Sequence, residues 1–131
     1  MNYVSIVLIS HSKEIVNGLE KLLKQIQPQV PLAVAGGMED EEIGTEVFKI
    51  KAAIESVRSP KGTVILFDLG SALMNAEMAI EMIDNNENVK IADAPLLEGS
   101  YAAIVEAGCE STLEEVLASA EGARNLQKIQ K

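Results

Sequence analysis

The 131-residue sequence predicts an α/β fold. The expected architecture is a doubly wound, predominantly parallel four-stranded sheet of order 2-1-3-4, with helices on both faces and a single domain over residues 1–131. Three observations predict it. Short aliphatic runs alternate with stretches of helical periodicity along the whole chain, and that alternation requires parallel strands joined by right-handed crossovers. The first run, Val4-Ser5-Ile6-Val7-Leu8-Ile9, is almost continuously apolar, the pattern of a strand covered on both faces. The second run carries Pro31, which suits a sheet edge or a strand start better than the middle of a sheet.

Strand one breaks into Ser10-His11-Ser12. Apolar positions Ile15, Val16, Leu19, Leu22, Leu23 and Ile26 then recur at helical spacing, predicting a first helix from about Ser12 to Gln27. Ser10 or Ser12 can cap it, and Pro28 ends it. Val30–Ala35 reads as the second strand, followed by Gly36-Gly37 and the acidic loop Met38-Glu39-Asp40-Glu41-Glu42. A second helix covers Thr45–Val57, with Val47, Ile50, Ala53, Ile54 and Val57 on one face, and Ser59-Pro60-Lys61-Gly62 is a turn. Thr63-Val64-Ile65-Leu66-Phe67 is the third strand and ends in Asp68-Leu69-Gly70-Ser71. The third helix, Ser71–Ile83, is apolar on more than one side, which assigns Met74, Met78 and Met82 to the core or to a subunit interface. A short strand at Val89–Ala92, a helix around Gly99–Ala107 and a last helix opened by the capping box Thr112-Leu113-Glu114-Glu115 complete the chain, the last reaching toward Ile129.

Composition narrows the function. Aromatic residues are only 3% against 47% apolar, so the core must be aliphatic. No apolar run approaches the length of a membrane span, and no signal peptide is visible. The single Cys109 rules out an internal disulfide, fits a reducing cytoplasm, and reads as a small core residue. With 20 acidic and 11 basic residues the net charge is −9, which leaves no basic patch for nucleic acid and favours a partner with a basic face.

In the 2-1-3-4 order, strands one and three are neighbours whose outgoing connections diverge to opposite faces, and the crevice between them is the switch point where such sheets bind ligands. His11, the only histidine, and Asp68 end those two strands and should face one another. A neutral imidazole is a nucleophile near pH 7 and can form a reversible N–P bond. A carboxylate accepting one ring N–H fixes the tautomer and aims the other nitrogen outwards. Phosphoryl oxygens then need donors, and the backbone after His11 (Ser12) and around Gly70-Ser71 can supply them. Simpler readings stand beside these: a structural histidine, Asp68 as an ordinary helix cap, Glu39–Glu42 as a solvated loop, and Gly36-Gly37 as a turn rather than an active-site wall.

Val7-Leu8-Ile9-Ser10-His11-Ser12, Ala35-Gly36-Gly37, Phe67-Asp68-Leu69-Gly70-Ser71-Ala72 with Asn75, and Pro95-Leu96-Leu97-Glu98-Gly99 followed by Tyr101 carry a family resemblance. Over essentially all of residues 1–125 the chain resembles the DhaM family of phosphotransferase subunits of phosphoenolpyruvate-dependent dihydroxyacetone kinases, in their domain similar to mannose-type enzyme IIA. The resemblance implies a mannose-type enzyme IIA-like fold, with His11 as the phosphoryl acceptor and Asp68 as the group that orients it. Ser10, Ser12, Gly36, Gly37, Gly70 and Ser71 are then contacts to phosphate or partner, with no metal. It also implies HPr as donor and, as acceptor, ADP held in the DhaL subunit, whose ATP phosphorylates dihydroxyacetone on DhaK. No cofactor is then bound by this chain, the protein is a cytoplasmic homodimer, and, ending at Lys131, it relies on separate donor proteins. Mannose-type relatives exchange a fifth strand between protomers, and no strand is read here after Ala92.

Other readings are distinguishable. An enzyme IIA of a mannose-type sugar transporter has the same chemistry and a different acceptor. A receiver-like signalling module needs acidic residues ending strand one, where this chain has Ser10-His11-Ser12. A flavodoxin-like binding module needs stacking aromatics, and the chain has two Tyr, two Phe and no Trp.

Overall fold

The computed structural model describes residues 2–40 and 42–130. Four parallel strands, β1 (Ser5–Ser10), β2 (Leu32–Gly36), β3 (Thr63–Phe67) and β4 (Val89–Ile91), form one sheet of order β2-β1-β3-β4. Five helices accompany them: α1 (Lys13–Ile26), α2 (Val47–Val57), α3 (Ser71–Glu81), α4 (Leu96–Gly108) and α5 (Leu113–Gly122). The α/β class and the strand order expected from the sequence are both found.

Period-two alternation divides the core into two layers, because successive strand side chains point to opposite faces. Val4, Ile6, Leu8, Val64 and Leu66 meet Val16, Leu19 and Leu23 of α1 and Ala103, Ile104, Val116 and Ala120 of α4 and α5. Val7, Ile9 and Ile65 meet Ile50, Ala53 and Ile54 of α2 and Ala72, Ala76 and Ala79 of α3. All six residues of β1 are buried, which accounts for its unbroken apolar run. Each fully buried Leu or Ile there contributes about 2 kcal/mol of transfer free energy. Of the two serines that bound the strand, Ser5 shares a hydrogen bond of 2.8 Å with Thr63 on β3.

Ser12 caps α1, its hydroxyl accepting from the Ile15 amide, and the capping box of α5 is complete. Several boundaries differ from expectation. β2 starts at Leu32 rather than Val30, since Pro31 has no N–H to pair and contributes only its carbonyl, which accepts from the Ile6 amide at 2.9 Å. α2 starts at Val47 rather than Thr45, whose hydroxyl is held by Asn75 at 2.7 Å. α3 stops at Glu81 rather than Ile83.

α4 begins three residues before Gly99, capped at Pro95. Gly99 sits inside it because a Cβ there would lie 2.8 Å from both Leu66 and Ala94. α5 ends at Gly122, short of Ile129: Leu126 and Ile129 are exposed and have no core to bind. Cys109 is exposed just past the end of α4, a correction to its reading as a core residue. Of the two places expected for the methionines, the core is excluded and the subunit interface stays open. Met74, Met78 and Met82 are exposed, and the small side chains Ala72, Ala76 and Ala79 are what α3 buries. Among the described residues no helix is long and apolar enough to cross a membrane.

Candidate active site

β1 and β3 pair in parallel with Ile9 opposite Phe67, so the residues that follow, Ser10-His11 and Asp68, emerge side by side at the carboxyl edge. From there the chain turns into α1 on one face and α3 on the other, opening a crevice between the strand ends. His11 and Asp68 meet in it: Nδ1 of the ring lies 2.9 Å from Oδ1 of the carboxylate. Their side chains are 18% and 16% exposed, enough to be reached and too little to swing freely.

The carboxylate is held at both oxygens. Oδ1 also accepts from the Leu69 amide at 2.6 Å, and Oδ2 accepts from the Ser10 hydroxyl at 2.7 Å and the His11 amide at 3.0 Å. Partial burial pushes the Asp68 carboxyl up, but hydrogen bonds from the Ser10 hydroxyl, the His11 ring and the His11 and Leu69 amides outweigh it and hold the group below the ordinary aspartate value. An ionised carboxylate only accepts, so the ring proton resides on Nδ1 and the lone pair on Nε2. Nε2 accepts from the Ser71 hydroxyl at 2.7 Å, on the open side of the ring. The result is an imidazole with its second ring nitrogen aimed outwards and an anion behind it.

The other residues expected in the site divide by position. Ser71 opens α3 on top of Nε2, and Gly70 precedes it with open space around its Cα, so a bulky oxyanion can approach there. Ser12 is the N-cap of α1, its hydroxyl donating to Glu14. Ser10 is fully buried behind the carboxylate. Gly36 lies where a Cβ would meet Val16 at 2.4 Å, so it permits the close approach of β2 to the start of α1. Gly37, at φ +70°, donates its amide to the Ser10 carbonyl at 3.3 Å. Both glycines therefore brace the segment that carries His11.

Sequence reasoning missed part of this bracing. The Gly44 amide donates to the His11 carbonyl at 2.9 Å, and Asn75 of α3 grips Thr45, so the loop between β2 and α2 is tied across the switch point. The signal available was Gly44-Thr45 together with Asn75. Glu39, Asp40 and Glu42 are exposed on that loop, between Gly37 and Gly44, which bond to the Ser10 and His11 carbonyls; Glu41 lies outside the described residues. A cavity of about 490 Å³ around Arg58 and Asn88 lies at the opposite end of the strands. Its guanidinium is engaged by the carbonyls of Asp84 and Asn85, which gives it a structural part.

The family EIIA-man, described as "PTS system fructose IIA component", matches residues 5–117. The chain is 41% identical over 105 residues to the PTS-dependent dihydroxyacetone kinase phosphotransferase subunit DhaM of Lactococcus lactis, covering 79% of this chain and 83% of that protein. It is 39% identical over 114 residues to the phosphoryl donor subunit DhaM of a PEP-dependent dihydroxyacetone kinase of Listeria innocua, covering 87% and 90%. A Providencia stuartii DhaM is 35% identical over 97% of this chain, but the chain spans only 28% of that longer protein. Among solved structures, a crystal structure of a protein of unknown function is similar at TM-score 0.81 and 31% identity, covering 93% of this chain and 95% of that one. The mannose/sorbose-specific IIA subunit of the Enterococcus faecalis phosphotransferase system shares the fold at TM-score 0.61 and 18% identity, covering 98% and 96%.

Proposed function

The chain belongs to the EIIA-man family, and from that premise we propose that it is a phosphohistidine phosphotransferase. In this reading it takes a phosphoryl group from HPr onto Nε2 of His11 and passes it to ADP bound in a DhaL subunit, which supports phosphorylation of dihydroxyacetone on DhaK. The observation that carries the reading is the ring held at Nδ1 by Asp68 at 2.9 Å with Nε2 turned outwards.

The lone pair of Nε2 attacks phosphorus, the N–P bond forms, and the bond to the donor breaks with its electron pair leaving on the donor. Positive charge developing on the ring is shared through Nδ1–H with Asp68, whose depressed pKa keeps it ionised. The Ser71 hydroxyl, released from Nε2, turns to donate to a phosphoryl oxygen, and Gly70 leaves room for the others. In the second half the β-phosphate of ADP attacks, the N–P bond breaks, and its electron pair returns to Nε2. Neither step needs much from the protein beyond position and charge, so a shallow site suffices. No nucleotide need be held by this chain.

The acidic loop carrying Glu39, Asp40 and Glu42 borders this edge and suits docking against a basic rim. The exposed methionine face of α3 is the surface for pairing with a second copy. The test is incubation with phosphoenolpyruvate, enzyme I and HPr, followed by presentation of the phosphorylated chain to ADP-loaded DhaL and, separately, to a IIB protein. Rapid discharge to DhaL is expected. Discharge to the IIB protein alone would make the chain a sugar-transport component.

A further inference from the structure

We propose that Ser10 is a positioning residue of this site, its buried hydroxyl locking the Asp68 carboxylate in the orientation that holds His11. The proposal rests on the phosphohistidine reading above. Ser10 is the last residue of β1 and is fully buried, on the same face of the strand as Ile6 and Leu8, where an apolar side chain would be expected. A hydroxyl there is unfavourable unless both its donor and acceptor capacities are met.

They are met in one direction. The Ser12 amide donates to Ser10 Oγ at 3.0 Å, and Oγ–H donates to Asp68 Oδ2 at 2.7 Å. The chain of bonds runs from the backbone at the start of α1, through Ser10, into the carboxylate, and each bond polarises the next. Ser10 and the His11 amide together fix Oδ2, which leaves Oδ1 in line with Nδ1 of the ring. Without the hydroxyl, Oδ2 keeps only the His11 amide as donor, and the carboxylate is held less firmly against the imidazole. Full burial behind Asp68 keeps Ser10 from touching a phosphoryl group, so any effect it has passes through the carboxylate.

The test compares Ser10→Ala and Ser10→Thr in the full chain. Phosphoryl uptake from HPr, followed by rapid quench, should be slower by about tenfold in Ser10→Ala, the effect of losing one hydrogen bond to a charged group. Ser10→Thr, which keeps the hydroxyl, should recover most of the rate. The ¹³C titration of the Asp68 carboxyl should move up toward the ordinary aspartate value in Ser10→Ala and stay in place in Ser10→Thr; loss of packing alone would not shift it. In the unsubstituted protein the Ser10 hydroxyl proton should exchange slowly, and its replacement by deuterium should displace the Asp68 carboxyl resonance. Unchanged uptake and an unmoved titration in Ser10→Ala, or no isotope displacement in the unsubstituted protein, overturns the proposal. If His11→Ala still accepts phosphate, the phosphohistidine reading fails instead, and the Asp68 titration still decides whether Ser10 orders the carboxylate.

Discussion

Asp68→Asn is the substitution that separates a catalytic carboxylate from a helix cap. The carboxylate accepts four hydrogen bonds, from the Ser10 hydroxyl, the His11 amide, the Leu69 amide and His11 Nδ1. Asparagine has nearly the same shape but one oxygen and one NH₂. With its oxygen toward Nδ1, the NH₂ opposes the His11 amide, donor against donor. With the oxygen toward Ser10, the NH₂ faces Nδ1, the ring proton moves to Nε2, and the nucleophile is blocked. Either arrangement forfeits a charge-assisted hydrogen bond, roughly 1.5–3 kcal/mol. At about 1.4 kcal/mol per tenfold, uptake should slow on the order of 10²-fold. The chain should stay folded, since the core lies below the site in two continuous layers. Rapid-quench transfer from HPr labelled through phosphoenolpyruvate measures the rate, and circular dichroism the fold. Wild-type kinetics in a folded Asp68→Asn protein would refute the argument and leave Asp68 as a cap for the Leu69 amide.

Three further outcomes follow. Charge reversal at Glu39, Asp40 and Glu42 should slow discharge to DhaL more at low salt than at high, as screening dictates, and leave HPr uptake onto His11 possible; equal effects at both ionic strengths would exclude electrostatic docking. Light scattering at micromolar concentration should give a dimer mass that Met74→Glu with Met78→Glu reduces to a monomer, because those side chains are exposed and apolar; a monomeric mass for the unsubstituted chain counts against it. Asp68 has a folded pKa below its unfolded value of about 3.9. Its stability contribution is therefore complete above that pH and disappears as pH falls through the folded pKa, so acid unfolding of Asp68→Asn should be less steep below about pH 4.

Much of this molecule can be read from its residues, for identifiable reasons. Pro31 set β2 at an edge, the unbroken apolar run set β1 inside, and the order that follows brings the ends of β1 and β3 together. That is why His11 and Asp68 could be paired across 57 positions of sequence. Helix faces were less legible. α3 has two apolar stripes at helical spacing, Ala72-Ala76-Ala79 and Met74-Met78-Met82, and periodicity alone does not say which meets the sheet. The small residues do, because they let the helix axis come close. Gly99 reads locally as a helix breaker, yet it lies inside α4 for the space Leu66 requires. The part played by Ser10 depends on a carboxylate 58 positions away, so it cannot be seen in the local pattern that makes it a possible cap.

The most direct test of the account is the identity of the phosphorylated atom. After phosphorylation by phosphoenolpyruvate, enzyme I and HPr, a chain with ¹⁵N in its single histidine should show one adduct on His11. Phosphorus–nitrogen coupling should place it at Nε2, with Nδ1 still protonated toward Asp68, and the adduct should be labile in acid and stable in alkali. An adduct at Nδ1, an alkali-labile acyl phosphate on Asp68, or undiminished labelling of His11→Ala would contradict it.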